Sequence, residues 1–225
     1  MINYKKLQIS KSNQSGFTII ESLVAVIVVA ILMTAISPVI VLSVATRVQS
    51  RRIELAADAA TAYIDGIKSN KIAAPSSPIT GDSQNIKDYA PPSVGSLTCS
   101  TTNDYCTAPA TNLYCLDGDG DGTGCTKTSS KDFVIQAFRY NKASSDEEKG
   151  YQLGLRVYRA DGFANDGGNL QKAPAKQNTF TGGIGNRKTP LFEITTEISD
   201  GNTSFSDLCD RLRPQNALDN AQSGC

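Results

Sequence analysis

Residues 16–26 read Gly16-Phe17-Thr18-Ile19-Ile20-Glu21-Ser22-Leu23-Val24-Ala25-Val26, and the rest of the chain is organised around them. Before them lie Lys5, Lys6 and Lys11, with no acid. After Glu21, residues 22–46 carry no charge. As a helix these 25 residues would extend ~37 Å at ~1.5 Å per residue, enough for a ~30 Å hydrocarbon core. A carboxylate at the mouth of such a helix costs roughly 3 kcal/mol if left unpaired in hydrocarbon, so Glu21 calls for a partner.

A cleavable secretory signal is the first competitor, because Ser43-Val44-Ala45 has small-x-small form. Signal cores run only about 7–15 apolar residues, and this run is longer and opens with an acid. A plain single-pass anchor is the second. Lysines on the N-terminal side keep that end cytoplasmic and send the remainder across. Pro38 lies inside the run, where it removes one backbone donor and bends a helix.

The six cysteines are Cys99, Cys106, Cys115, Cys125, Cys209 and Cys225, all beyond the apolar run, and histidine is absent. Without histidine or a Cys-x-x-Cys pair, disulfides in an oxidising compartment outweigh zinc. Six cysteines permit 15 pairings. Sequence proximity favours Cys99–Cys106, Cys115–Cys125 and Cys209–Cys225.

Residues 47–74 continue the helix in amphipathic form. Val48, Leu55, Ala59, Ala62, Tyr63 and Ile67 recur at helical spacing, interrupted by Arg52, and Arg51 stands three residues from Glu54. Ala74-Pro75 is the expected stop. Residues 75–130 are rich in Pro, Ser, Thr, Gly and Asn and read as a long loop held by disulfides. Residues 131–140, 151–159 and 190–199 read as strands. In the second, Tyr151, Leu153, Leu155 and Val157 alternate with Gln152, Gly154, Arg156 and Tyr158, the pattern of a half-buried strand. In the third, Phe192, Ile194, Thr196 and Ile198 share a face, opposite Glu193, Thr195 and Glu197. Residues 141–150 suit a charged hairpin tip. Residues 160–189 read as a mobile excursion, and the tail closes through Cys209 and Cys225. The fold class is therefore α+β: a long N-terminal helix whose amphipathic half covers a small antiparallel sheet of at least three strands, with disulfide-stabilised loops.

The most chemical stretch is Asp117-Gly118-Asp119-Gly120-Asp121-Gly122. Three carboxylates at alternate positions followed by glycine form the first half of a calcium loop. Position 12 is Thr128 rather than a bidentate glutamate, and no flanking helices are evident, so this is no EF-hand. A non-helical calcium loop would draw its other ligands from carbonyls or Asp132; the competing reading is a glycine-rich turn bridged by Cys115 and Cys125. Gly182-Gly183-Ile184-Gly185 follows no strand and is not a dinucleotide site, and no phosphate loop exists. The lack of histidine excludes Ser/His/Asp and Cys/His catalysis. A secreted or anchored carboxylate-pair hydrolase is the competing enzyme reading, but aromatics are few and there is no Trp to stack on a sugar, so no enzyme and no required cofactor are expected. Tyr140, Tyr151, Tyr158, Phe133 and Phe138 lie on the strands as core candidates.

The N-terminal pattern, glycine, then Phe-Thr-x-x-Glu, then about twenty apolar residues, resembles the cleavage and methylation signal of type IV prepilins and pseudopilins. The resemblance implies that a prepilin peptidase cuts after Gly16 and that Phe17 becomes the N-methylated N-terminus. It implies that Glu21 pairs with the N-terminal amine of a neighbouring subunit. Pro38 stands twenty-one residues after Phe17, where pilin helices carry a kinking proline. The implied domains are a basic leader (1–16), a transmembrane and assembly helix (17–46), its amphipathic half (47–74) and a globular head (75–225), similar to the pilin fold. The implied partners are the peptidase, other pilins through their N-terminal helices and, indirectly, an assembly ATPase and a platform protein. The precursor would sit in the cytoplasmic membrane with its head outside, then enter a filament. Removing the leader takes away three lysines and leaves 19 basic and 22 acidic residues, net about −3, which offers no footprint for nucleic acid. The stretch Ser37-Pro38 through Leu55-Ala56 resembles cyanobacterial pseudopilins of the hormogonium polysaccharide secretion group, implying motility and polysaccharide export. A membrane-anchored, calcium-dependent adhesin or binding module that does not polymerise is the alternative from another class.

Overall fold

The computed structural model describes residues 16–76, 78–79, 88–141, 146–178, 185–199 and 201–212. Its elements in chain order are α1 (Ile19–Lys68), β1 (Pro78–Ile79), β2 (Leu113–Leu116), β3 (Phe133–Tyr140), β4 (Tyr151–Arg159), β5 (Phe192–Ile198) and α2 (Phe205–Leu212). The chain divides into two compact units, Met1–Val44 and Ala45–Cys225.

In the first unit, α1 is apolar all round beyond Glu21, and its large side chains from Ile19 to Val44 are exposed, apart from half-buried Leu42. It is long and apolar enough to cross a membrane. The helix runs through Pro38, whose ring removes the bond that the Thr34 carbonyl would otherwise accept.

In the second unit, the remainder of α1 buries Ala56, Ala59, Ala60, Tyr63, Ile64 and Ile67. These residues pack on one face of the sheet: Phe133, Ile135 and Ala137 from β3, and Tyr151, Leu153, Leu155 and Val157 from β4. The three alanines keep the helix close to the strands. α1 stops at Lys68, six residues before Ala74. Asn70 takes a left-handed φ of 55°, and the amides of Lys71 and Ile72 donate to the Gly66 carbonyl. Asparagine in that conformation is an ordinary helix stop, so the chain ends the helix before Pro75 can.

The expected sheet is present, with β3 paired antiparallel to both β2 and β4, and β4 to β5. β1 adds a two-residue parallel pairing at the far end of β3. The register sets Ile135 opposite Val157, and Leu155 opposite both Ala137 and Ile194. Every member of these pairs is on the helix face.

The opposite face departs from the half-buried expectation. Gly154, Arg156 and Tyr158 are buried as fully as their helix-facing neighbours. A second apolar cluster lies there: Leu113, Cys115, Val134 and Tyr158 pack with Ala160, Phe163, Leu170 and three more half-cystines. The cover comes from residues 88–98 and 160–178, so the second stretch is no free excursion. A 3-10 turn spans Ala160–Phe163. The Lys188 ammonium is buried and donates to the Gly162 and Ala164 carbonyls at 2.8 and 2.5 Å, and burial pushes its pKa down. Arg156 pins the other covering segment. Its Nε donates to Glu193 at 3.1 Å, and Nη1 donates to the Tyr89 carbonyl at 2.7 Å and to Gln136 at 3.3 Å. Tyr89 stacks on Phe138 at 4.6 Å, and Phe138 lies under the Arg156 guanidinium.

The long loop between helix and sheet is tied down by disulfides Cys99–Cys106 and Cys115–Cys125. Loop-closure entropy puts the gain from rings this short at about 2–3 kcal/mol each. The third expected pair, Cys209–Cys225, has its second member outside the described residues. A tyrosine cluster holds the disulfide loop against α1. The Tyr63 and Tyr105 hydroxyls meet at 2.6 Å, the Tyr105 hydroxyl donates to the Ala73 carbonyl at 2.8 Å, and Tyr114 stands edge-on to both rings. Tyr105 spends its only proton on Ala73, so Tyr63 must be the donor between them.

The hairpin-tip expectation falls partly on residues 142–145, outside the described set, and Glu147–Lys149 forms a 3-10 turn before β4. The tail holds an element absent from the sequence reading, α2. Ser204 and Asp207 cap it reciprocally: the Asp207 amide donates to Ser204 Oγ at 3.2 Å, and the Ser204 amide to Asp207 Oδ2 at 3.0 Å.

Candidate assembly segment and acidic loop

Among the described residues, Gly16, Phe17 and Thr18 precede α1 without regular secondary structure. Thr18 is the cap. The Glu21 amide donates to Thr18 Oγ1 at 3.3 Å and to the Thr18 carbonyl at 3.0 Å. Thr18-Ile19-Ile20-Glu21 therefore has the capping-box spacing, with its acid in the first turn, where the helix dipole favours negative charge. This local role accounts for the Glu21 backbone. Its carboxylate is in no ion pair among the described residues.

Gly16 has no comparable structural reason to be glycine. Among the described residues, a β-carbon there would meet no atom within 4 Å, and its φ is not in the left-handed range. Phe17 is 83% exposed. Among the described residues, no close contact calls for a glycine at 16 or buries Phe17.

The acidic loop follows β2, in the other unit. One oxygen from each of Asp117, Asp119 and Asp121 lies within 4.8 Å of the others. Asp117 organises the turn: Oδ1 accepts the Gly120 amide at 2.6 Å and the Asp119 amide at 3.2 Å, and Oδ2 accepts the Gly122 amide at 3.0 Å. These bonds, Gly122's foremost, hold its carboxyl below the usual range. Asp119 accepts from the Asp121 amide and from Ser129 Oγ, and Asp121 from the amide and hydroxyl of Thr123. At Gly118 a β-carbon would clash with the Lys131 carbonyl oxygen, so the loop passes too close to the chain for any side chain.

Asp132, named above as a further ligand, is not in the cluster. It is buried and accepts the Gly118 and Thr126 amides, pinning the two ends of the loop. The three clustered carboxylates are hard oxygen donors of the kind Ca²⁺ takes, and they supply half or fewer of the six to eight oxygens it needs. The Cys115–Cys125 bridge joins the two ends of the segment that carries the loop. Sequence reasoning passed over Tyr105, Arg156 and Lys188. Tyr105 carries no local signal, whereas Arg156 stands mid-strand among apolar residues, where a charge marks either solvent or a buried pair.

Residues 11–37 match the family model of the prokaryotic N-terminal methylation motif. The match runs from the basic segment through Gly16, Phe17 and Glu21 and into the apolar helix, so the chain carries a prepilin-type N-terminus. Neither a curated protein nor a solved structure matches the chain.

Proposed function

We propose that the protein is a structural subunit, a minor pilin or pseudopilin, of a type IV pilus-like or type II secretion-like filament. The observation that carries this reading is the methylation motif at residues 11–37, joined to a continuous helix from Ile19. The space at Gly16 supports it, since a glycine with no close neighbour among the described residues fits selection by a peptidase. In this reading the precursor waits in the cytoplasmic membrane, N-terminus inside and head outside. Prepilin peptidase removes residues 1–16, and Phe17 is methylated. Glu21 then pairs with the amine of an adjoining subunit, and an assembly ATPase and platform protein act indirectly through the membrane. Surface motility and polysaccharide export are the tasks proposed, on the resemblance of residues 37–56 to the cyanobacterial group. Mass analysis of the mature N-terminus tests the reading: methylated Phe17 is expected, and a chain beginning at Met1 or Thr46 refutes it. Glu21→Ala is expected to be processed yet excluded from filaments; normal incorporation would remove the docking role.

The approach of three carboxylates within 4.8 Å favours one second reading, a membrane-anchored module that binds calcium and does not polymerise. It requires calcium to raise the melting temperature of the wild type and not that of Asp119→Ala. A wild type indifferent to calcium eliminates it.

A further inference from the structure

The amphipathic part of α1 carries cations where a membrane helix seldom keeps them. Basic residues beside a span gather on its cytoplasmic side, as Lys5, Lys6 and Lys11 do in the subunit reading. Arg47, Arg51 and Arg52 instead follow the uncharged run on the exported side, with no acid before Glu54. Arg47 and Arg51 are exposed, but Arg52 is half-buried and lines a groove of about 590 Å³ within the second unit. Leu55, Ala59 and Ala62 belong to its α1 wall, and Leu116, Lys131 and Phe133 to the wall opposite. Phe133 is the register partner of Arg159, and directly opposed residues of antiparallel strands project from the same face. The Arg159 side chain therefore lies beside Phe133, on the face that packs on α1. Burial, and then repulsion from Arg159, push the Arg52 pKa down, while Asp161 acts the other way.

Charge at this corner of the head is not balanced. Arg159 is 5% exposed; it donates to Asp161 through Nη2, and its Nε has no partner among the described residues. Lys131 is exposed and in no ion pair among the described residues. Asp132 is committed to the Gly118 and Thr126 amides. Asp58, the acid that lines the groove, stands six residues beyond Arg52, about 9 Å further along the helix. An anion between Arg52 and Lys131 would offset the repulsion of the two guanidiniums, beside apolar walls that displace water and strengthen the attraction. Position along α1 selects the anion. Arg52 stands six residues after Thr46, the last of the uncharged run, a rise of about 9 Å. Headgroups reach about 5–8 Å beyond the hydrocarbon on each side, and an arginine side chain covers the difference. We propose that Arg52 and Lys131, backed by Arg159, form a site for the phosphate of an anionic phospholipid on the exported face of the membrane. The acyl chains of that lipid stay in the bilayer. The site rests on the subunit reading above, which puts residues 47 onward on that face.

Native mass spectrometry of the detergent-solubilised full chain, expressed with a prepilin peptidase, tests the site. The probes are dioleoylphosphatidylglycerol and dioleoylphosphatidylcholine, which share acyl chains and differ in headgroup charge. Wild type is expected to retain the anionic lipid at least about tenfold more than the zwitterionic one. R52Q/K131Q is expected to lose that preference. K131Q alone, an exposed change, is expected to weaken it about fivefold. R47Q/R51Q, outside the groove, is expected to keep most of it. Near-ultraviolet circular dichroism confirms that each variant is folded. Equal retention of the two lipids by wild type overturns the site. A loss in R47Q/R51Q as large as in R52Q/K131Q also overturns it, since diffuse attraction would then suffice. Millimolar inorganic phosphate is expected to leave the preference in place; its abolition would assign the groove to a free anion and overturn the lipid. The same spectra report the N-terminus. Methylated Phe17 without a lipid preference removes the site and leaves the subunit reading, whereas an unprocessed chain that keeps the preference does the reverse.

Discussion

Replacing Tyr105 with phenylalanine should cost more than replacing Tyr63, although the two hydroxyls share one hydrogen bond. Tyr105 donates to the Ala73 carbonyl, so Tyr63 donates to Tyr105. Tyr63 is 1% exposed, and in Tyr105→Phe its proton has no acceptor and no water. An orphaned buried donor costs about 1–3 kcal/mol, beyond the loss of the bond itself. Tyr63→Phe leaves the bond to Ala73 intact and removes only an acceptor contact, worth about 0.5–1.5 kcal/mol. For a chain of this size, 1 kcal/mol moves the melting temperature by about 2–4 °C. We therefore expect losses of about 4–8 °C for Tyr105→Phe and about 2–4 °C for Tyr63→Phe. The double variant removes the orphan and should lose less than the two singles together. The assay is thermal melting of the full chain in detergent, followed by near-ultraviolet circular dichroism. Equal losses, a larger loss for Tyr63→Phe, or strict additivity in the double variant would refute the assigned direction of the bond.

The same pair governs alkaline behaviour. Burial pushes Tyr105 up to about 12 and Tyr63 further in the same direction, so the folded state holds these protons longer than the unfolded chain. Their contribution is complete below about pH 10 and is lost as pH rises through the folded value; tyrosinate absorbance should lag the normal curve until unfolding. At the acid end the sign reverses. Asp117 is held below its ordinary 3.8, so its share of loop stability is present above that value and lost as pH falls through the depressed one, which proton NMR of the Gly120 and Gly122 amides would follow. Arg156→Ala should destabilise the head by about 3–5 kcal/mol in chemical denaturation, because it strands partly buried Glu193 and releases the Tyr89 carbonyl. A loss below about 1 kcal/mol would show that the network contributes only shape.

The helix-facing side of the sheet was legible because alternation in residues 151–159 is a local property: Leu153, Leu155 and Val157 declare a face in any context. The other face was not legible. Whether Arg156 and Tyr158 meet water depends on residues 88–98 and 160–178, distant in sequence and poor in periodic signal. β2 was missed because Leu113–Leu116 is four residues set among turn formers, too short to show a period. The stop at Lys68 and the start of α2 could have been read, since Ser69-Asn70 and the Ser204/Asp207 spacing are ordinary end signals. Two disulfides followed from proximity because both rings are short. At the N-terminus, Thr18-x-x-Glu21 was legible as spacing, but its capping geometry needed the coordinates. The acidic loop shows the converse: its motif was plain, and only the structure assigned the oxygens of Asp117 and Asp132 to backbone amides.

The cover on both faces of β4 has a consequence for how the head opens. β4 has a ladder partner on each edge, α1 above and the pinned loops below, so its amides have no shallow route to water. Exchange with solvent there demands release of the helix or of the loop layer, and the two are fastened by the same strands. The slowest-exchanging protons of the molecule should therefore be those of β4, leaving together in a single event.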